Sequence, residues 1–240
     1  MVMRRLVAAE TLDQLDARDP SAVRSRRDLR RIHRVMGTRS ILLGGLADLR
    51  AAARGGTLRL LELGAGDGTL LLGVAKVLAR SGVRADLTLL DRQSCVEPQT
   101  IENYARAGWS AAVYICAVSD WIAARGEAPQ AWDAIVANLF LHHFRDEELA
   151  ALLSAVAART GRFFACEPRR AWLALGASHL VGALGANAVT REDAVLSVHA
   201  GFTDSELSAL WPSLHGEWRL HEYGAGLFSH CLQATRAFAS

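Results

Sequence analysis

The chain has 240 residues, half of them hydrophobic, with 27 basic against 25 acidic side chains and a formal net charge of +2. That length suits one full α/β domain with a sizeable core, and the composition excludes a disordered tail or a coiled coil. Charged residues or histidine interrupt every apolar run before the roughly 18 residues a membrane span needs. The opening Met-Val-Met-Arg-Arg also lacks the apolar core of a signal peptide, so a cytoplasmic location is expected.

From Met1 to Arg54 there are twelve arginines against six acidic residues, an uneven placement of charge. The arginines are interleaved with Asp13, Asp16, Asp19 and Asp28 and with almost no aromatic rings, which argues against nucleic acid as a partner. The segment to about Leu49 reads as two helices. The first follows Asp28, carries Leu29, Ile32, Val35 and Met36 and stops at Gly37. The second runs from Ser40 with Ile41, Leu42, Leu46 and Leu49. Gly55-Gly56 then marks a turn.

From Leu58 the pattern becomes short apolar runs alternating with helical segments. Leu58–Leu63 is a strand ending in glycines, followed by a helix with Leu70, Leu71, Val74, Val77 and Leu78. Leu87–Asp91 is a second strand, followed by a helix with Pro98 in its first turn and Gly108 at its end. Ala111–Val118 and Trp132–Asn138 are the third and fourth strands. A helix opening with Asp146-Glu147-Glu148 leads to the fifth, Arg162–Glu167. After a helical insertion between Trp172 and Pro212, the runs Trp218–Tyr223 and Leu227–Thr235 flank Gly224-Ala-Gly226 and read as an antiparallel hairpin. The expected fold is α/β: a doubly wound, mostly parallel seven-stranded sheet with helices on both faces, an antiparallel final strand and an N-terminal helical cap. Residues 1–56 form the cap and 57–240 a Rossmann-like domain, with a lid insertion at about 170–213.

The strongest motif is Leu61-Glu-Leu-Gly64-Ala-Gly66-Asp67-Gly68-Thr, placed where a strand turns into a helix. Glycines there let a ligand approach the backbone. The spacing departs from GxGxxG, because Thr69 occupies the third glycine position. Carboxylates at Glu62 and Asp67 would repel a pyrophosphate and attract a ligand bearing ammonium and sulfonium groups.

This stretch resembles motif I of the class I S-adenosylmethionine-dependent methyltransferases, small-molecule type, and the resemblance extends over roughly Leu58 to Glu167. It implies that Glu62, Gly64, Ala65, Gly66 and Asp67 hold the methionine end of S-adenosylmethionine, and that Asp91 takes both ribose hydroxyls. It further implies that Asp120 and Trp121 bond and cover the adenine, and that Asn138 sits beside the sulfonium. Arg92 stands where the family usually has an apolar residue against adenine; its guanidinium can stack on a ring.

Asn138-Leu-Phe-Leu-His142-His143-Phe144 follows the fourth strand, at the sheet edge where open α/β folds bind ligands. His142 or His143 is a candidate base for an acceptor proton, or else packs beside the cofactor. Glu167 ends the fifth strand as a second candidate base or orienting group, or as a partner of Arg169 or Arg170. Trp172, His199 and Phe202, with Leu173 and Leu180, lie where the family builds its substrate pocket. The basic stripe Arg27, Arg30, Arg31 and Arg34 either caps the site or is a solvated face. Cys95, Cys116, Cys166 and Cys231 form no ligand cluster, and no metal site is expected. The expected activity is methyl transfer to a hydroxyl or phenol oxygen of an aromatic or polyketide-like metabolite. Alternatives are a protein or RNA methyltransferase and a non-catalytic cofactor-binding partner. A homodimer is compatible with all of these.

Overall fold

The computed structural model describes residues 3–53, 56–124, 131–213 and 218–237. Its N-terminal part is a short helix α1 (Thr11–Gln14), a long α2 (Pro20–Met36), α3 (Thr38–Gly45) and α4 (Leu49–Ala53). Two corrections follow for the N-terminal helices. The first long helix begins at Pro20, where Asp19 caps it by accepting the amide of Ser21 at 2.7 Å. Asp28, expected before that helix, is instead buried within it and accepts the Asn187 amide at 2.9 Å. The second expected helix is divided into α3 and α4, and the turn expected at Gly55-Gly56 falls partly outside the described residues.

The alternation then gives β1 (Thr57–Leu63), α5 (Thr69–Arg80), β2 (Arg84–Asp91), α6 (Pro98–Arg106), β3 (Ser110–Ile115), α7 (Val118–Ala123) and β4 (Ala134–Asn138). A 3-10 turn at Leu141–His143 leads to α8 (Asp146–Arg159) and β5 (Arg162–Pro168). The insertion holds α9 (Trp172–His179), a 3-10 turn at Val181–Leu184, α10 (Ala188–Ala200) and α11 (Glu206–Ala209), before β6 (Trp218–Ala225) and β7 (Ser229–Arg236). Several strand boundaries shift, as where β2 begins already at Arg84 and β7 only at Ser229. Val118 starts a helix rather than ending β3, Trp132 makes only an isolated bridge to Thr160, and β6 extends to Ala225.

The sheet has seven strands in the order β3-β2-β1-β4-β5-β7-β6. All pairings from β3 to β5 are parallel, and β7 enters antiparallel between β5 and β6. Chain order reverses between β1 and β4, which places the ligand crevice at the carboxyl tips of those strands. Two apolar layers sandwich the sheet. Leu42, Leu46 and Leu49 of the N-terminal helices join α5 on one face. Leu149, Leu152, Leu153 and Val156 of α8 cover the other. Among the described residues no helix is long and apolar enough to cross a membrane.

Candidate functional site

The tip of β1 runs into a turn in which Gly64, Gly66 and Gly68 all have positive φ (68°, 55° and 68°), a region costly for any residue with a side chain. A Cβ on Gly64 would meet the Phe140 ring at 2.3 Å, so this glycine also lets β1 approach the turn after β4. Asp91, at the tip of β2, accepts the Gly66 amide at 2.9 Å and the Gln93 amide at 2.9 Å. Asp67 caps α5 through Thr69 and pairs with Arg30 of α2 at 2.5 Å.

Glu62 is 3% exposed, and burial, with Asp67 and Asp91 nearby, pushes its pKa well above the usual carboxylate range. Its Oε2 finds no hydrogen-bond partner among the described residues, and neither does the buried Oδ1 of Asn138 at the tip of β4. Orphaned buried oxygens are costly. Two of them flank one glycine turn, with open space around the Gly66 Cβ position. This arrangement fits the amino and methionine part of S-adenosylmethionine. Asp91 stands one strand further on, where ribose hydroxyls would reach its carboxylate.

The structure corrects the expectation for Trp121. Its ring is 1% exposed, packs with Ile135 and Leu153, and lies under the Arg159 guanidinium at 4.5 Å, so it is a core side chain with no face for adenine. Asp120 is exposed in the first turn of α7. Arg92 is turned to the N-terminal segment, donating to the Asp13 carbonyl and lying 3.5 Å from the Asp13 carboxylate.

Glu167 proves to be a clamp rather than a free base. Its carboxylate accepts the amides of Phe140 (3.0 Å), Leu141 (3.0 Å) and His142 (3.3 Å), and bonds His142 Nδ1 at 2.8 Å. Neither Arg169 nor Arg170 is its partner: Arg170 pairs with Glu206 at 2.5 Å. The clamp follows Leu139, whose φ of 49° is a left-handed conformation costing about 1–2 kcal/mol for such a residue. His142 is buried between Glu167 and Glu10, whose Oε1 lies 3.3 Å from Nε2. Burial works to lower the His142 pKa, but the hydrogen bonds to Glu10 and Glu167 outweigh it and raise it to about 9. An imidazolium held in this way accepts no proton, so His142 is removed as a base. Burial and the charge on His142 instead lower the pKa of His143, which stands 3.3 Å from Asp13.

Sequence reasoning missed Glu10 and Asp13. They lie on a strap, residues 10–15, that crosses the sheet tips. Asp193 of α10 accepts the amides of Thr11 (2.8 Å) and Leu12 (2.9 Å), and Gln93 donates to the Leu15 carbonyl at 2.9 Å. Glu10 also receives a hydrogen bond from Ser197 of α10. No local pattern marks these residues, because their partners lie far along the chain.

Beside the strap is a cavity of about 320 Å³ between α2 and the insertion. It is lined mainly by apolar side chains such as Ile32, Met36, Leu180 and Val181, and also by Glu10 and Leu139. Of the insertion residues expected to line a pocket, only Leu180 does so. Trp172 is 62% exposed, Phe202 is 1% exposed under the Arg5 guanidinium, and His199 holds Leu6 through its carbonyl. The local spacing in this insertion does not tell which helix face turns inward.

No protein-family model matches the sequence, and no curated protein does. Solved structures do match. The plantazolicin methyltransferase BpumL, in complex with a monoazolic desmethylPZN analog and SAH, superposes with a TM-score of 0.60 at 14% identity, covering 91% of each chain. The magnesium protoporphyrin IX methyltransferase ChlM from Synechocystis PCC 6803, with bound SAM, gives 0.54 at 16% identity over 89% of this chain and 84% of that one. An O-methyltransferase family protein from Burkholderia thailandensis gives 0.61 at 15% identity, over 95% of this chain and 63% of that one. At such identities the likeness is one of fold, and it agrees with the strand order and the reversed β7. The chain has the class I S-adenosylmethionine-dependent methyltransferase fold.

Proposed function

We propose that the protein transfers a methyl group from S-adenosylmethionine to a small organic acceptor. The observation that carries this reading is the pair of orphaned buried oxygens, Glu62 Oε2 and Asn138 Oδ1, on either side of the glycine turn. When bound, S-adenosylmethionine supplies a methyl group already activated on a sulfonium. Glu62 would hold its ammonium, Asp91 its ribose hydroxyls, and Asn138 would orient the sulfonium end. Positioning of this kind can supply roughly 7–11 kcal/mol of a two-reactant barrier.

The cavity supports a small acceptor. Leu139, adjacent to Asn138, is part of its wall, so a molecule filling it would lie close to the residue assigned to the sulfonium end. At about 320 Å³ the cavity is sized for a small molecule rather than for a folded protein or an RNA helix. An oxygen acceptor, a hydroxyl or phenol of an aromatic or polyketide-like metabolite, is the finer reading, supported by Glu10 of the strap, which shares the cavity wall with Leu139. BpumL and ChlM, which share the fold, are named for plantazolicin and magnesium protoporphyrin IX.

Calorimetry with S-adenosylmethionine, followed by assays with radiolabelled cofactor against phenols, bulk RNA and peptides, tests the reading. Label in the phenol fraction alone is the expected result. Binding without transfer to any class would favour a non-catalytic partner, and absence of binding would overturn the proposal.

A further inference from the structure

We propose that Glu10, His142 and His143 form a site for a divalent first-row transition ion, zinc suiting it best, adjoining the apolar cavity. One ligand atom from each residue lies within 4.8 Å of those from the other two. Two imidazoles and one carboxylate, with a fourth position left open, are the donor set of catalytic zinc centres. The spacing also fits. Ligands about 2.0–2.2 Å from a tetrahedral ion stand roughly 3.4 Å from one another, and His142 Nε2 lies 3.3 Å from Glu10 Oε1.

The surroundings are those of a supported site. Glu167 accepts from His142 Nδ1 at 2.8 Å, which fixes the ring, as partners of ligating histidines do, and an ion at Nε2 would displace to solvent the proton that this nitrogen shares with Glu10. Ser197 holds the Glu10 carboxylate, and Asp13 adds a second negative charge 3.3 Å from His143 Nδ1. Three carboxylates therefore surround two rings in a largely buried place, where a divalent charge offsets them. Glu10 also belongs to the cavity wall, so the site and the cavity adjoin through this residue.

Ion binding itself requires no cofactor. Only its role toward an acceptor rests on the methyl-transfer reading. An acceptor hydroxyl coordinated there would have its O–H acidified, as zinc lowers the pKa of a bound water to about 7, and would release that proton to solvent. Because Glu10 belongs to the strap and the histidines to the turn after β4, a bound ion would also fasten the strap to the sheet edge.

The test uses the full chain stripped by chelator, titrated with Zn²⁺ by calorimetry and with Co²⁺ by visible absorption. The expected result is one ion per chain and a tetrahedral Co²⁺ spectrum. Glu10→Gln, which keeps the side-chain volume, and His143→Ala should each lose that spectrum. Glu167→Gln should weaken Zn²⁺ affinity by about 10–100-fold. His179→Ala, an exposed histidine on α9, should change nothing, and circular dichroism checks that each variant is folded. No one-to-one binding in the wild type, or binding that survives in both Glu10→Gln and His143→Ala, overturns the site. Calorimetry with S-adenosylmethionine on the same samples separates the two readings. Zn²⁺ binding without cofactor binding keeps the metal site and removes methyl transfer, whereas the reverse overturns the metal site alone.

Discussion

Arg30 Nη1 lies 2.5 Å from Asp67 Oδ2, so helix α2 is tied directly to the glycine turn that it covers. The arginine is about half exposed, and such pairs contribute only about 0–1 kcal/mol. Arg30→Ala should therefore shift denaturant stability by less than about 1 kcal/mol. It should speed the dissociation of S-adenosylmethionine, because the cover is released. Stopped-flow dissociation at the wild-type rate would refute this.

Asp91→Ala should weaken S-adenosylmethionine strongly. Hydrogen bonds to a charged group are each worth about 1.5–3 kcal/mol, so losing one or two lowers affinity by at least about tenfold. Undiminished calorimetric binding would remove Asp91 from the ribose site.

Glu62 carries a proton linkage. Its folded-state pKa is raised by burial and by Asp67 and Asp91. The folded form therefore holds a proton that the unfolded chain gives up, and stability is lost as pH climbs above the ordinary carboxylate value. A bound ammonium favours the carboxylate, so cofactor binding should release a proton and tighten with rising pH. Binding enthalpies in two buffers of different ionisation enthalpy should differ for the wild type and converge for Glu62→Gln. Equal enthalpies in the wild type would contradict the linkage.

Gly64→Ala combines a left-handed backbone, costing about 1–2 kcal/mol, with overpacking against Phe140, costing about 1–3 kcal/mol. Urea denaturation should show a loss in that combined range. A variant as stable as the wild type would mean that the turn tolerates a side chain.

Trp121→Ala should destabilise by about 3–5 kcal/mol, as emptying an aromatic core site does. Folded protein at low temperature should still bind S-adenosylmethionine with unchanged affinity. A selective loss of affinity would return Trp121 to the adenine site.

The succession of strands and helices was legible because short apolar runs alternate with helical spacing, and Glu62, Asp91 and Asn138, at or next to the ends of three of those runs, fall at the strand tips in the structure. The start of α2 was not legible. Its buried stripe is Ala22, Ser25 and Asp28, small or polar residues that leave no apolar periodicity. Trp121 was misread because an aromatic residue after a strand does not reveal which side of its helix faces the core. Glu10 meeting His142, 132 positions further along the chain, depends on where the strap is laid, and only tertiary packing decides that.

The strap has a kinetic consequence. Asp193, Gln93 and the histidine turn all grip the same six residues, 10–15, from three different parts of the fold. Loosening one anchor leaves the others engaged, so the strap is expected to leave the sheet edge as a unit, slowing passage into and out of the crevice. Steady-state turnover would then slow as solvent viscosity is raised, while the chemical step, followed in a single enclosed cycle, would not.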